Sequence, residues 1–310
     1  MSSTSTMTGR LRARLASSDF HPDLRTAARL LPSAAVLGPR SLALSRRFAS
    51  HRPVAGAYTA SVGEVEALVF RPRGTACGGV LWVHGGGMVL GSPQQDARTC
   101  RRIADELEAV VVAPRYRLAP EHPFPTPLED CYAALRWLAA LPELADLPLV
   151  VAGASAGGGL AVGVTLAARD RGEVSVAKQV LVHPMLDDRT AATADPGAAV
   201  RRVWDNRANA FGWGSYLGVA PGSPDVPAYA APARAQDLAG LPPTWIGVGT
   251  ADLFHDEDMA FAGRLREAGV PTELEVVPGA FHAFDALPTT VSRAFVDTWV
   301  GAIGSGLRTT

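Results

Sequence analysis

The turn within residues 148–168 constrains the fold of this 310-residue chain more than any other stretch. The apolar run 149–152 has the length and composition of a buried strand, and a helix-compatible run follows from residue 156. Residues 153–157 between them are Gly-Ala-Ser-Ala-Gly, the pattern G-x-S-x-G. Such a turn holds its serine in a strained backbone conformation with the hydroxyl above the end of the sheet, and it closes only between small neighbours. The sequence therefore predicts a strand–turn–helix unit that presents Ser155.

Strand-like and helix-like segments alternate over most of the chain. Short apolar runs predict further strands at 58–62, 64–70, 79–83, 109–114, 179–183, 244–248 and 273–277. Helical periodicity predicts helices at 93–108, 128–141, 257–268 and 289–303. Strands that alternate with helices of about 10 to 15 residues are typical of parallel sheets. We therefore predict an α/β fold with a mostly parallel sheet covered by helices on both faces.

Two segments interrupt this alternation. Residues 1–53 carry no strand pattern and are predicted to be helical. Residues 187–232 are rich in Ala, Gly, Asp and Pro, with scattered aromatic residues, which indicates an inserted and partly helical segment. The sequence thus predicts a core in two parts, 54–186 and 233–310, that is interrupted by the insertion and preceded by the helical segment.

Composition excludes several classes of function. The formal net charge is −1, and hydrophobic residues make up 47% of the chain, so the sequence lacks the basic footprint of a nucleic-acid or membrane-surface protein. The sequence contains no run of 18 apolar residues, so we predict no transmembrane helix. The three cysteines have irregular spacing and match no zinc or disulfide pattern. These cysteines therefore favour a reducing compartment, and we expect a cytoplasmic protein. No nucleotide-binding or metal motif occurs, so we expect no cofactor and no metal.

A serine nucleophile needs a base, and the position of His282 makes it the best candidate. It follows the predicted strand 273–277 in a turn, at the strand end where ligands gather in open parallel sheets. His255 is a weaker candidate that also follows a strand. His183 is followed directly by Pro184 and is interpreted as structural.

An acid must orient that imidazole, and Asp252 follows the strand 244–248 by a few residues. Asp256 and Asp258 are alternatives, but both lie at the start of the next predicted helix, where capping is a sufficient reason for an acid. The chain order Ser155, Asp252, His282 is the order found in α/β-hydrolases.

The glycine-rich loop 84–87, His-Gly-Gly-Gly, follows the strand 79–83. Consecutive glycines let backbone N–H groups converge on the oxygen of a substrate. We predict an oxyanion hole made by the amides of Gly85, Gly86 and Ala156, the last being the residue after the nucleophile. His84 is interpreted as a residue that braces the loop.

These motifs resemble the hormone-sensitive-lipase family of carboxylesterases. The resemblance rests on HGGG, YRLAPEHPFP, GASAGG, ADLFHDE and PGAFHAF, which occur in this order over residues 84–284. It implies an α/β-hydrolase fold, the triad Ser155, Asp252 and His282, and the three oxyanion donors above. It also implies a helical cap built from residues 1–53 and 187–232.

Two positions depart from the family pattern, one in the local support of the serine turn and one at the wall of the pocket. Ala154 stands where the family has an acid beside the serine, and Met88 replaces a common aromatic residue after the glycine loop. We predict that Met88 lines the pocket together with four aromatic residues of the insertion, Trp204, Phe211, Trp213 and Tyr216.

The predicted activity is hydrolysis of short- to medium-chain carboxylic esters through an acyl-enzyme on Ser155. The substrate is a small molecule, and a homodimer is compatible with the sequence. Amide, lactone or formamide hydrolysis by the same triad is an alternative that no sequence feature separates from esterase activity. A ligand receptor on the same fold is a third reading, disfavoured because His282 is present in its expected context.

Overall fold

A computed structural model describes residues 19–31, 42, 46 and 53–308. Its sheet has eight strands in the order β1-β2-β4-β3-β5-β6-β7-β8. The first two pairings, β1 with β2 and β2 with β4, are antiparallel, and all others are parallel. The strands are β1 Ala57–Val62, β2 Val65–Phe70, β3 Gly78–Val83, β4 Ala109–Pro114, β5 Leu149–Ala154, β6 Lys178–Val182, β7 Thr244–Gly249 and β8 Thr272–Val277. The predicted fold class and each predicted strand are confirmed, and no strand end differs from its prediction by more than two residues.

The described residues form seven α-helices. They are α1 Arg25–Leu30, α2 Ala97–Glu106, α3 Thr126–Ala139, α4 Ala156–Arg171, α5 Asn206–Leu217, α6 His255–Glu267 and α7 Thr290–Leu307. The helix predicted over 93–108 begins instead with a 3-10 turn, Pro93–Asp96, ahead of α2. Pro93 fits the first position of that turn because its missing N–H needs no partner there.

The sheet is covered on both faces, and the alternation along β3 shows why. Leu81 and Val83 belong to the core on the side of α3, α4 and α6. Val80 and Trp82 point to the other core, which is formed with α2 and α7. Every residue of β3 is buried, as expected for a central parallel strand whose sequence is a continuous apolar run.

The parallel strands bring the predicted functional segments to one edge of the sheet. Val83 at the end of β3 pairs with Gly153 of β5, and Gly249 at the end of β7 pairs with Val277 of β8. The glycine loop, the serine turn and the segments that carry Asp252 and His282 all begin just beyond these ends. The topology therefore collects them at the carboxyl edge, where open α/β sheets bind ligands.

The segment predicted to be an insertion, residues 187–232, contains a 3-10 helix, Asp188–Ala192, and α5. Part of the segment predicted to be helical at the N-terminus is also described, and α1 packs in the same core as α7. The other residues of 1–53, apart from 42, 46 and 53, lie outside the described residues. No helix in the described part of the chain is both long and apolar enough to cross a membrane.

Candidate active site

Ser155 occupies the strained turn that the sequence predicts. It lies between β5 and α4 with φ +55° and ψ −123°, a conformation that costs free energy for a residue with a side chain. Its N–H donates to the carbonyl of Val182, and its own carbonyl accepts from Met185, both at 2.9 Å. Gly157 allows the turn to close, because a Cβ there would lie 2.1 Å from the carbonyl oxygen of Val83. The end of β6 and the segment that follows it thus hold Ser155 in place.

Ser155, His282 and Asp252 form one continuous hydrogen-bonded chain. The Oγ of Ser155 lies 2.9 Å from Nε2 of His282, and Nδ1 of His282 lies 2.9 Å from Oδ2 of Asp252. His282 is 4% exposed and Asp252 is 1% exposed, so water competes little for either bond. This arrangement places an imidazole where it can accept the serine proton while a carboxylate orients it.

Several contacts keep the Asp252 carboxylate ionised in spite of its burial. Burial by itself raises the pKa of Asp252, but the opposing charge and hydrogen bond of His282 outweigh it and hold that pKa below its usual range. The backbone N–H of Phe254 also donates to Oδ1 of Asp252, at 3.0 Å. A carboxylate is therefore available to stabilise an imidazolium at His282.

The alternative base and acids stand apart from the serine. The ring of His255 contacts Asp256 at the surface, in the first turn of α6. Asp258 is fully buried, and neither of its carboxyl oxygens has a hydrogen-bond partner within the described chain. His183 is buried with its ring centroid 4.6 Å from that of His282, and burial lowers the pKa of His183. It packs against the imidazole as a neutral ring.

The glycine loop lies beside Ser155 and presents backbone amides. Gly86 has φ +127°, and a Cβ there would lie 2.3 Å from the carbonyl oxygen of Leu90, so only glycine fits. Gly85 and Gly86 line the same cavity as Ser155. The backbone N–H groups of Gly85, Gly86 and Ala156 donate to no acceptor in the described part of the chain. All three remain available to an oxygen of a ligand.

His84 is held by contacts that fix the start of this loop. Its ring stacks on Tyr116 with centroids 4.2 Å apart, and the Tyr116 hydroxyl donates to the His84 carbonyl at 3.0 Å. Nδ1 of His84 lies 2.9 Å from the carbonyl oxygen of Gly85. Burial lowers the pKa of His84 to about 4, so the ring is neutral at physiological pH. These are the contacts of a bracing residue.

A cavity of about 630 Å³ opens beside Ser155 and His282. Indole rings from three parts of the chain contribute to its walls: Trp82 of β3, Trp204 of the insertion and Trp299 of α7. The sequence analysis missed Trp82 and Trp299. A weak signal existed, since Trp82 lies in the strand just ahead of the glycine loop, but its partner Trp299 is more than two hundred residues away.

Polar groups also reach this cavity. Asp96 accepts a hydrogen bond from Nε1 of Trp82 at 2.9 Å, and burial raises the pKa of Asp96 to about 7. Asp285 and Arg98 line the cavity as well, and so does Ala154, the position where the family has an acid. Among the described residues, no group of three or more His, Cys, Asp or Glu side chains could hold a metal ion.

Four of the five predicted pocket residues lie away from this cavity. Trp204 lines it, whereas Met88, Trp213 and Tyr216 are fully buried in the core and Phe211 is partly buried against that core. The physical reason is that α5 packs its inner face onto the protein instead of presenting it to the cavity. Met88 has φ +62° and points into the same core.

Comparison with known proteins agrees with this geometry. The profile of the α/β-hydrolase fold family matches residues 80–286. The chain belongs to the α/β-hydrolase fold family. The resemblance to the hormone-sensitive-lipase family is confirmed by relatives that are named esterases and carboxylesterases.

Two curated relatives and one solved structure show how far the likeness extends. This α/β-hydrolase is 38% identical to esterase LipI of Mycobacterium tuberculosis over 210 residues, which is 66% of this chain and 65% of the relative. It is 34% identical to an acetyl-hydrolase of Streptomyces hygroscopicus over 80% of this chain and 84% of that one. A bacterial heroin esterase superposes with a TM-score of 0.84 at 36% identity, covering 94% of this chain and 99% of the other. The match to LipI thus spans just under two thirds of that relative.

Proposed function

We propose that this protein is a serine carboxylesterase that hydrolyses short- to medium-chain carboxylic esters through an acyl-enzyme. The observation that carries the proposal is the unbroken series of hydrogen bonds from Ser155 through His282 to Asp252. Relatives over most of the chain are named esterases, which supports the same reaction.

The proposed reaction has two acyl-transfer steps. In the first, Nε2 of His282 takes the proton of Ser155 while Oγ bonds to the ester carbonyl carbon. The imidazolium, stabilised by Asp252, then gives this proton to the leaving alcohol, and the acyl group stays on Oγ. In the second step His282 activates a water molecule in the same way, and the acid is released as Ser155 regains its proton.

The oxyanion that forms in each step needs donors, and we assign these to the amides of Gly85, Gly86 and Ala156. Their lack of an acceptor in the described chain supports this assignment. Fixed donors next to a buried serine stabilise developing charge without first having to reorient. The loss of one such donor is worth about 10²- to 10³-fold in turnover in comparable sites.

Substrate size follows from the proposed cap. We propose that residues 187–232, together with the N-terminal segment, cover the active site and bound the cavity of about 630 Å³. Its indole walls suit an apolar acyl or alcohol group of limited length. Two relatives carry names that specify small esters or acetyl groups, the heroin esterase and the acetyl-hydrolase. The substrate class we propose is accordingly small, soluble esters.

Cell location and assembly also belong to the proposal. We place the enzyme in the cytoplasm because its cysteines are unpaired, Cys77 at the surface and the other two buried. We propose a homodimer, for which β8 offers an edge that pairs with no further strand in the described part of the chain. Analytical ultracentrifugation of the purified protein tests the assembly directly.

The test of the reaction compares an ester with its amide analogue. The expected result is rapid hydrolysis of p-nitrophenyl butanoate and little or no hydrolysis of the butanoyl p-nitroanilide. Equal or faster cleavage of the anilide would favour amide hydrolysis by the same triad. Absence of turnover on either, with tight binding of the ester, would favour a receptor.

A further inference from the structure

A buried ion pair in the insertion reaches the backbone of Asp252. The Arg201 guanidinium bonds the Asp195 carboxylate, with Nη2 at 2.9 Å from Oδ1 and Nε at 3.1 Å from Oδ2. Their side chains are only 12% and 7% exposed. The remaining arm, Nη1 of Arg201, donates to the carbonyl oxygen of Asp252 at 2.6 Å. Gly197 packs against the guanidinium, since a Cβ there would lie 2.6 Å from Nη2.

The residues that follow Arg201 contact the N-terminal segment and the glycine loop. Nε of Arg202 donates to the carbonyl of Ala28, and its guanidinium lies over the ring of Phe20. Trp204 packs on the glycine loop so closely that a Cβ on Gly87 would meet its ring at 2.3 Å. Val203 and Trp204 of this segment line the cavity, and Arg201 is the residue of the segment that contacts Asp252.

We propose that Arg201, oriented by Asp195, is a positioning residue that fixes Asp252 against His282. This inference rests on the proposed esterase function and adds to it a residue outside the triad and the oxyanion loop. Arg201 contacts no substrate atom in this proposal. It acts through the peptide group of Asp252.

Every hydrogen-bonding group of Asp252 has a partner, and Arg201 supplies one that the hydrolase core does not. The N–H of Asp252 donates to Gly249, Oδ1 accepts from Phe254, and Oδ2 faces His282. The N–H of His255 lies 3.4 Å from the Asp252 carbonyl, a long contact, which leaves Arg201 as its close donor. Without it, the peptide of Asp252 can rotate and carry the carboxylate away from Nδ1.

Arg201 acts through geometry more than through charge. The guanidinium is neutralised by the adjacent Asp195, so the pair adds little net field at His282. The other titratable groups near Asp252 and His282 are His183, Asp258, Glu257 and Asp285. None of these four is changed in the Arg201 variants below.

The test uses two variants and a matched control. Arg201→Lys keeps a cation beside Asp195. A single ammonium group cannot reproduce the guanidinium, whose separate N–H donors bind the Asp195 carboxylate and the Asp252 carbonyl at the same time. The double variant Asp195→Asn/Arg201→Met removes both charges together and leaves no buried charge unpaired. The control is the other buried pair of this region, Asp188 with Arg234, changed to Asp188→Asn/Arg234→Met. That pair bonds Gly222 and Pro224 and touches no triad residue.

We expect both Arg201 variants to lower kcat for p-nitrophenyl butanoate by about 10- to 100-fold with KM changed little. In a plot of kcat/KM against pH, the decline on the acidic side should move to lower pH, because a displaced carboxylate stabilises the imidazolium less. The downfield proton resonance of Nδ1 of His282, measured by NMR without substrate, should weaken or shift. The control variant should keep the wild-type kcat, profile and resonance, whatever its thermal stability.

The proposal would be overturned if both Arg201 variants kept the wild-type kcat, pH profile and resonance. It would also be overturned if the control variant changed as much as they do. If the wild-type protein hydrolyses no ester, the proposed function fails. The NMR comparison still decides whether Arg201 positions Asp252 in that case.

Discussion

Three buried residues around Ser155 show how local contacts assign different charges to side chains with similar exposure. His84 and His183 are buried without a carboxylate partner, and burial lowers the pKa of each. Asp252 is just as buried, yet its contacts with His282 hold its pKa low. Ionisation at this site thus depends on specific partners, and of the three buried imidazoles in the described chain, His84, His183 and His282, only His282 hydrogen-bonds a carboxylate.

At this scale we expect Ser155→Ala and His282→Ala each to lower kcat by up to about 10⁶-fold, with the double variant little worse, because the groups act as a unit. Asp252→Asn should be milder, since the nucleophile and base remain. Steady-state rates on p-nitrophenyl butanoate measure these losses. His255→Ala is the control, and near-normal rates in His282→Ala with a large loss in His255→Ala would reverse the assignment of the base.

The sequence predicted the triad residues because each follows a strand that is recognisable by itself. It missed Trp82, Trp299 and Asp96 because the cavity joins β3, the turn before α2, and α7, and this proximity exists only in the folded chain. It also assigned Met88, Phe211, Trp213 and Tyr216 to the pocket, because a large apolar side chain gives the same sequence signal at a pocket wall and in or against the core, where these four lie.

Among the elements, α6 joins the insertion to the core through a buried carboxyl group. Oε1 of Glu257 accepts from the N–H groups of Leu186 at 2.7 Å and Asp187 at 3.2 Å, and Oε2 contacts the hydroxyl of Thr190. Burial raises the pKa of Glu257 to about 8 in spite of these donors. The first turn of α6 therefore holds a proton that an unfolded chain would release at much lower pH.

This proton links stability to pH with a definite sign. The unfolded carboxyl titrates near pH 4.3, so between about pH 4.3 and 8 the folded state binds one more proton than the unfolded state. The stability from this group is complete below that range and is lost as the pH rises through 8. We expect the free energy of unfolding to fall between pH 6 and 9, by a contribution of about 3 kcal/mol from this group.

Glu257→Gln should reduce the fall in the free energy of unfolding between pH 6 and 9, because the amide keeps the shape of the side chain and cannot titrate. Urea unfolding of both proteins at pH 6 and pH 9 measures this change in the free energy of unfolding. Glu267→Gln changes an exposed residue of the same helix and should retain the wild-type slope. An unchanged slope in Glu257→Gln would show that this carboxyl is already ionised at pH 6.

For the whole molecule, the proposed cap bounds one cavity at the carboxyl edge of the sheet, and Val203 and Trp204 are the residues of 187–232 that line it. Each CH₂ of an acyl chain that enters an apolar cavity adds roughly 0.8 kcal/mol while it fits, and beyond the wall the gain stops. We therefore expect kcat/KM to rise from acetate, peak between butanoate and octanoate, and drop for longer p-nitrophenyl esters. Palmitate as the best substrate, or a jump in activity at an emulsion interface, would mean that the cap opens as a lipase lid does.

Trp204 is the residue of the insertion that both lines the cavity and packs on the glycine loop. Trp204→Ala should move the optimum to longer acyl chains, since it removes part of the wall. Phe211→Ala, a change in the same insertion at a position away from the cavity, should keep the wild-type optimum. The same series of esters measures both.

The covalent intermediate on Ser155 tests the central claim most directly. Rapid quench of the enzyme with excess p-nitrophenyl butanoate, followed by mass spectrometry of its peptides, should show one butanoyl group on the peptide that contains Ser155. The label should form in Asp252→Asn more slowly and be absent in Ser155→Ala. Steady ester turnover with no acyl group on Ser155, or with the acyl group on another residue, would contradict the account.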